Sequence, residues 1–156
     1  MRRIIIFVFL LCSVSLFAQE ISTTPHKHRF IELVNNGEFD QALKEYTIVK
    51  DWYCKTNECC LDIANSLYDL GTYYFYNGNY VIAEDCYIKS LRMMEDNLGN
   101  DCNNYNYATL LGDLGALYYQ LAYYSASEEY NIESLLIKES LFGENHPEYV
   151  LSLENL

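Results

Sequence analysis

The segment Leu70–Leu91 returns 44 residues further on as Leu114–Leu135. Both copies open on Leu-Gly, carry a tyrosine four positions after that leucine and close on Ser-Leu. A period near 40 residues, built from two helix-length segments, confines the chain to a helical solenoid. In such a stack each helix pair buries one face against its neighbours and leaves a continuous surface for a partner.

Further matches extend the echo in both directions. Asn36-Gly37-Glu38-Phe39 aligns with Asn77-Gly78-Asn79-Tyr80, which places Ala42 on Ala83. Tyr107 through Leu114 aligns with Tyr149 through Leu156, 42 residues on. The expected fold is all-α, a right-handed superhelical solenoid of antiparallel helix pairs with three repeats and the start of a fourth. Helical periodicity marks His26–Asn35, Phe39–Trp52, Asn57–Tyr76, Tyr80–Asn97, Tyr105–Leu121 and Tyr124–Leu141, with a last helix opening at His146-Pro147. Expected inward residues include Ile63, Leu67, Leu70 and Tyr74, then Ala83, Tyr87, Ile88 and Leu91, and finally Leu153 and Leu156. Gly71, Ala83 and Gly115 fall where the helices of a pair must approach closely. The pairs Tyr73-Tyr74, Tyr118-Tyr119 and Tyr123-Tyr124 are expected to fill helix interfaces.

A chain of 156 residues is the size of one ordinary domain. Its formal charge of −12 disfavours nucleic acid, which requires a basic footprint. An apolar content of 51% excludes a chain too polar to bury a core. Residues 1–18 read as a signal peptide: Arg2 and Arg3 precede the apolar run Ile4–Cys12, and Ala18 precedes the polar Gln19-Glu20 pair. Residues 19–25 form a polar linker and residues 26–156 the repeat domain. The apolar run is too short for a comfortable span, so no membrane crossing is expected in the mature chain. The expected location is periplasmic or extracellular, in a bacterial envelope.

Export permits disulfides, and Cys54, Cys59 and Cys60 are the candidate set for a local bridge. Their C-x4-C-C spacing departs from the paired C-x2-C pattern of tetrahedral zinc sites, so no metal is expected. Cys86 reads as a small hydrophobe between helices.

Leu-Gly-x-x-Tyr at Leu70–Tyr74 and Leu114–Tyr118, with Ala83 twelve residues after Gly71, resembles the tetratricopeptide repeat. The longer period, the run Phe142–Tyr149 and the ending Ser152–Leu156 resemble its kinesin-light-chain-type variant. The resemblance covers about Arg29 to Leu156. Ser127 stands where the family prefers alanine, Leu121-Ala122 replaces the Asn-Gly turn, and the first repeat lacks Leu-Gly.

At about 100° per residue, Asn65, Asp69, Thr72 and Tyr76 lie opposite the inward face of their helix. Thr109, Asp113, Ala116 and Gln120 occupy the same face of the next repeat's first helix. The resemblance implies that this face lines a concave groove for a peptide or partner helix. Tyr68, Phe75 and Tyr119 flank it and would stack on apolar side chains. Asp69 and Asp113 recur in register, so the expected ligand is basic or amide-rich. Those outward positions carry no Lys or Arg, which argues against clamping a C-terminal carboxylate.

No triad, phosphate loop or acid pair with catalytic spacing is present, and no cofactor is implied. His146, beside Pro147, reads as part of the repeat's loop signature. Glu84-Asp85 and Glu128-Glu129 read as complements to the helix dipole. The expected function is a non-catalytic protein-interaction scaffold. The alternative is the N-terminal sensing or docking region of a longer signalling kinase or caspase-like peptidase. Self-association through the open last repeat is a third reading.

Overall fold

A computed structural model of the chain describes residues 25–56, 61–98, 104–154 and 156, all helices and turns. The signal peptide, the start of the linker, and Cys59 and Cys60 lie outside the described residues, as does the Cys54 side chain. The candidate bridge among these cysteines therefore lies outside them too. The chain divides into two compact units, residues 1–58 and 59–156.

In the first unit, α1 (25–35) and α2 (Phe39–Thr56) form a helical hairpin. Phe30 and Tyr46 are buried and their rings meet at 5.7 Å. Leu33, Val34 and Ala42 complete this small core. Glu45 accepts from Arg29 Nε at 3.1 Å and faces His26 Nδ1 at 2.6 Å. α2 runs four residues past Trp52, where sequence periodicity ended it.

The second unit contains α3 (Leu61–Tyr76), α4 (Tyr80–Leu98), α5 (Tyr105–Gln120), α6 (Tyr124–Phe142) and α7 (Pro147–Leu153). α3 with α4, and α5 with α6, are antiparallel pairs: each pairs the start of one helix with the end of the other. Ser90 Oγ donates to the Ala64 carbonyl at 2.7 Å, and Ser134 Oγ donates to that of Ala108 at 2.6 Å. The two bonds are the same contact one repeat apart. Ile63, Leu67, Leu70, Leu110, Leu111, Leu114 and Leu117 fill the interior. Each such side chain contributes about 1.5–3 kcal/mol on burial.

Close approach explains the two Leu-Gly glycines. A Cβ on Gly71 would lie 2.7 Å from the Tyr87 ring, itself buried, and a Cβ on Gly115 would collide with the Asn131 amide. Ala83 is also fully buried.

All three hairpins close alike. Gly37, Gly78 and Ala122 have positive φ, and their N–H groups donate three residues back, to Val34, Phe75 and Tyr119. The next N–H donates five back, to Leu33, Tyr74 and Tyr118, which completes a Schellman turn. Ala122 makes the turn that glycine makes elsewhere.

The last pair departs from the apolar pattern. The buried residues of α6 are Ser127, Asn131, Ser134 and Lys138, where α4 has Ala83, Tyr87, Ser90 and Met94. Hydrogen bonds replace apolar packing there. Ser127 Oγ donates to the Gly115 carbonyl at 2.8 Å, and Lys138 Nζ donates to Ser152 Oγ at 2.9 Å. Leu153 and Leu156, expected inward, are 46% and 55% exposed, because α7 turns Ser152 rather than leucine toward α6. Tyr119, Tyr123 and Tyr124, expected at helix interfaces, are exposed at the hairpin end.

Candidate functional site

The first helices of successive repeats, α3 and α5, present the expected groove residues. Asn65 and Asp69 are exposed on α3, while Tyr68 between them is half-buried. The Tyr68 hydroxyl donates to Asp113 Oδ2 on α5 at 2.7 Å. Its ring stacks on Tyr87 of α4, centroids 5.9 Å apart. Thr72 Oγ1 and the Tyr87 hydroxyl share a hydrogen bond at 3.1 Å. Tyr68 is thus held from two sides, and its hydroxyl is committed to the neighbouring repeat.

A cavity of about 290 Å³ opens beside it. Four expected residues line it, Asn65, Tyr68, Asp69 and Thr109, together with Met94, Tyr105 and Asn106. Sequence reading missed the last three. Met94 follows the inward period of α4 and gave no signal of a second contact. Tyr105 and Asn106 open α5, where the Asn104 side chain caps the helix by accepting from the Asn106 and Tyr107 N–H groups at 2.9 and 3.2 Å. That cap fixes the direction in which α5 leaves the cavity.

Burial shapes the charge of this face. Desolvation pushes the Asp113 carboxyl above the usual carboxylate range, opposed by the Tyr68 hydrogen bond and by the Lys138 ammonium. Desolvation also raises Asp69, which has no such opposing partner. Burial and the adjacent Asp113 raise the Tyr68 hydroxyl far above its usual value, so it stays a donor. Asp69 and Asp113 share a face, but in different states: Asp69 is exposed and Asp113 is half-buried with its carboxylate engaged.

The remaining expected residues lie apart from this cavity. Ala116, Tyr119 and Gln120 border a second opening of about 640 Å³, with Tyr124, Glu128 and Glu154. Phe75 and Tyr76 meet edge to face near the α3–α4 turn, where Tyr76 is 81% exposed. Within the first cavity, Thr109 Oγ1 donates to the Tyr105 carbonyl of its own helix at 2.9 Å.

Each of the two antiparallel pairs carries the same serine-to-carbonyl bond between its own helices, at Ser90 and at Ser134. Residues 62–131 match the tetratricopeptide repeat model. This stretch carries tetratricopeptide repeats. No curated protein matches it. The match spans α3 to the middle of α6, the stretch in which the repeat echo is strongest. Tetratricopeptide repeats mediate protein–protein interaction, and such arrays are typically scaffolds without catalysis.

Residues that carry chemistry elsewhere have structural work in these repeats. His146 Nδ1 caps α7 by accepting from the Glu148 N–H at 3.2 Å, and its ring stacks on Phe142 at 4.5 Å. Burial pushes the Cys86 thiol up to about 12, which keeps it an unreactive core group. Glu84 is no mere dipole complement: it accepts from the Tyr118 hydroxyl at 2.8 Å, joining α4 to α5. Asp85 instead pairs with Lys89 four residues on, at 2.6 Å. Among the described residues no group of three or more His, Cys, Asp or Glu is placed to hold a metal ion, and no helix is long and apolar enough to cross a membrane.

Proposed function

We propose that this chain is an exported, non-catalytic scaffold that binds a peptide or partner helix along the face formed by α3 and α5. The observation that carries the reading is the cavity lined by Asn65, Asp69 and Thr109 beside the anchored Tyr68. Exposed Asp69 and the Asn65 amide favour a basic or amide-rich segment. The Tyr68–Asp113 bond holds the two helices before a ligand arrives, which lowers the ordering cost of binding.

Selection from a displayed peptide library tests this directly. Peptides retained by the wild-type chain should be rich in Lys, Arg, Asn or Gln, and an Asn65→Ala, Asp69→Ala variant should lose them. Equal retention by both would sink the assignment. Export rests on the N-terminal pattern of residues 1–18. Mass spectrometry of the secreted chain should find Gln19 at its N-terminus; an intact Met1 would refute cleavage.

A second reading rests on the apolar row of α6 and α7, where Leu136, Val150 and Leu151 are 58%, 45% and 54% exposed. Such a row favours self-association. Sedimentation velocity that shows monomer across a hundred-fold concentration range would remove it.

A further inference from the structure

Away from the α3–α5 cavity, the hairpin between α5 and α6 encloses an open cleft of about 750 Å³ with aromatic walls. Tyr118, Tyr123, Tyr124 and Tyr130 line it, and it shares no residue with the α3–α5 cavity. Tyr118 and Tyr130 lie nearly parallel, centroids 5.5 Å apart and planes 6° off. Tyr123 leans on Tyr118 at 6.2 Å. Tyr123 and Tyr124 are each 62% exposed, an arrangement that leaves ring surface open to a visitor.

Carboxylates stand around these rings. Glu129 and Glu133 line the cleft from α6. Glu84 accepts from Tyr118 at 2.8 Å. The Tyr107 hydroxyl lies 3.2 Å from Glu95 and 3.4 Å from Glu133, so carboxylates of α4 and α6 converge on one donor. Burial raises the Tyr130 hydroxyl above its usual value, and the negative charges of Glu133, Glu95, Glu129 and Glu84 add to the rise. Lys89, on the same helix as Glu84, is held by Asp85.

We propose that this cleft is a second docking site, one that takes the guanidinium of an arginine side chain presented by a partner protein. The aromatic-walled cavity carries the assignment, and the carboxylates select within it. Open tyrosine faces attract cations through the ring quadrupole. A guanidinium is planar, so it lies flat on a ring while its edge N–H groups reach carboxylates in the plane. A quaternary ammonium would satisfy the rings yet offer the glutamates no donor. A lysine ammonium would satisfy the glutamates yet lacks a flat face to stack. The site is independent of the α3–α5 reading: one partner could bind both, or each could bind alone.

The test is a titration of the full-length mature chain, followed by amide chemical shifts, with three short peptides. They differ at one central residue: arginine, citrulline or trimethyl-lysine. The arginine peptide should shift amides within residues 118–133 and bind about ten-fold more tightly than either of the others. Citrulline keeps the shape and loses the charge; trimethyl-lysine keeps the charge and loses the donors. A Glu129→Gln, Glu133→Gln variant removes two exposed carboxylates and should weaken the arginine peptide several-fold, whereas Glu144→Gln, at an exposed position outside both cavities, should leave it unchanged. Equal binding of the citrulline or trimethyl-lysine peptide overturns the guanidinium assignment. So do shifts scattered over the acidic surface, or a Glu144→Gln effect as large as that of the glutamine variant.

Discussion

The Tyr68 hydroxyl donates to Asp113 Oδ2 at 2.7 Å, and this bond joins the first helix of one tetratricopeptide repeat to the first helix of the next. Both residues face the proposed groove, so one contact serves stacking of the repeats and the shape of the binding face. Removal of the hydroxyl in Tyr68→Phe leaves a half-buried carboxylate short of a donor. The expected cost is about 1–3 kcal/mol in urea unfolding. In a double-mutant cycle with Asp113→Ala, which removes the acceptor, the two effects should be less than additive. Simple additivity would show that the bond does not form in solution.

Asp113 also predicts a pH dependence. Its folded carboxyl is raised by burial, while the unfolded one titrates in the ordinary range. Between those values the native state binds more protons than the unfolded state. The stability this group contributes therefore falls as pH rises through that window. Asp113→Asn keeps an acceptor for Tyr68 and removes the titration. As pH falls from neutrality toward the ordinary carboxylate range, the wild-type chain should gain more stability than the variant. Identical gains would rule out a raised Asp113.

Ala122 bears a φ of +62° in the turn that Gly78 makes at +74°. An L-residue in the left-handed region costs about 1–2 kcal/mol, partly offset by the smaller entropy it loses on folding. Ala122→Gly should stabilise the chain by about 0.5–1 kcal/mol, and Gly78→Ala should destabilise it by a similar amount. Nothing lies within 4 Å of a Cβ at Gly78, so the second effect would report backbone strain alone. A destabilised Ala122→Gly variant would contradict the shared turn geometry.

Gly115 tests space instead of dihedral angle. Alanine there would drive its Cβ into the buried Asn131 amide. Overpacking of this kind costs about 1–3 kcal/mol, read as a fall in Tm. Asn131→Ala in the same chain should recover part of the loss, since it empties the volume that the new methyl needs. No recovery would place the fault elsewhere.

Lys138 is 8% exposed, with Ser152 Oγ at 2.9 Å and Glu148 at 3.7 Å. Met94 holds the matching position in the previous repeat. Replacement of both members of a buried polar pair by apolar groups is often neutral or stabilising, whereas removal of one member alone is costly. Lys138→Met with Ser152→Ala should hold Tm, while Ser152→Ala alone should cost about 1–3 kcal/mol by taking a hydrogen-bond acceptor from the buried ammonium. A large loss in the double variant would show that the charge itself organises α6 and α7.

The helices, their pairing and the two close-approach glycines were legible in the residues. Periodicity states which face of a helix turns inward, and the Leu-Gly echo states where the next helix must press closest. Ile63, Leu67, Leu70, Gly71, Ala83 and Tyr87 therefore lie where the pattern put them. Of the groove residues, periodicity placed Asn65 and Asp69 on an exposed face of α3.

A pattern along one helix cannot name the partner on another. Tyr68 meets Asp113 across 45 residues, and Tyr118 meets Glu84 across 34, because the crossing of packed helices sets those distances. Hydrophobic patterning also fails on α6, where hydrogen bonds to Gly115, Ala108 and Ser152 let serine and lysine occupy buried positions. The sequence by itself determined an all-α repeat of helix pairs, since turn chemistry and helical period are local properties. Only the tertiary structure decided which acids stay open to a partner and which are taken by tyrosines, since that depends on what a neighbouring helix brings within hydrogen-bond reach.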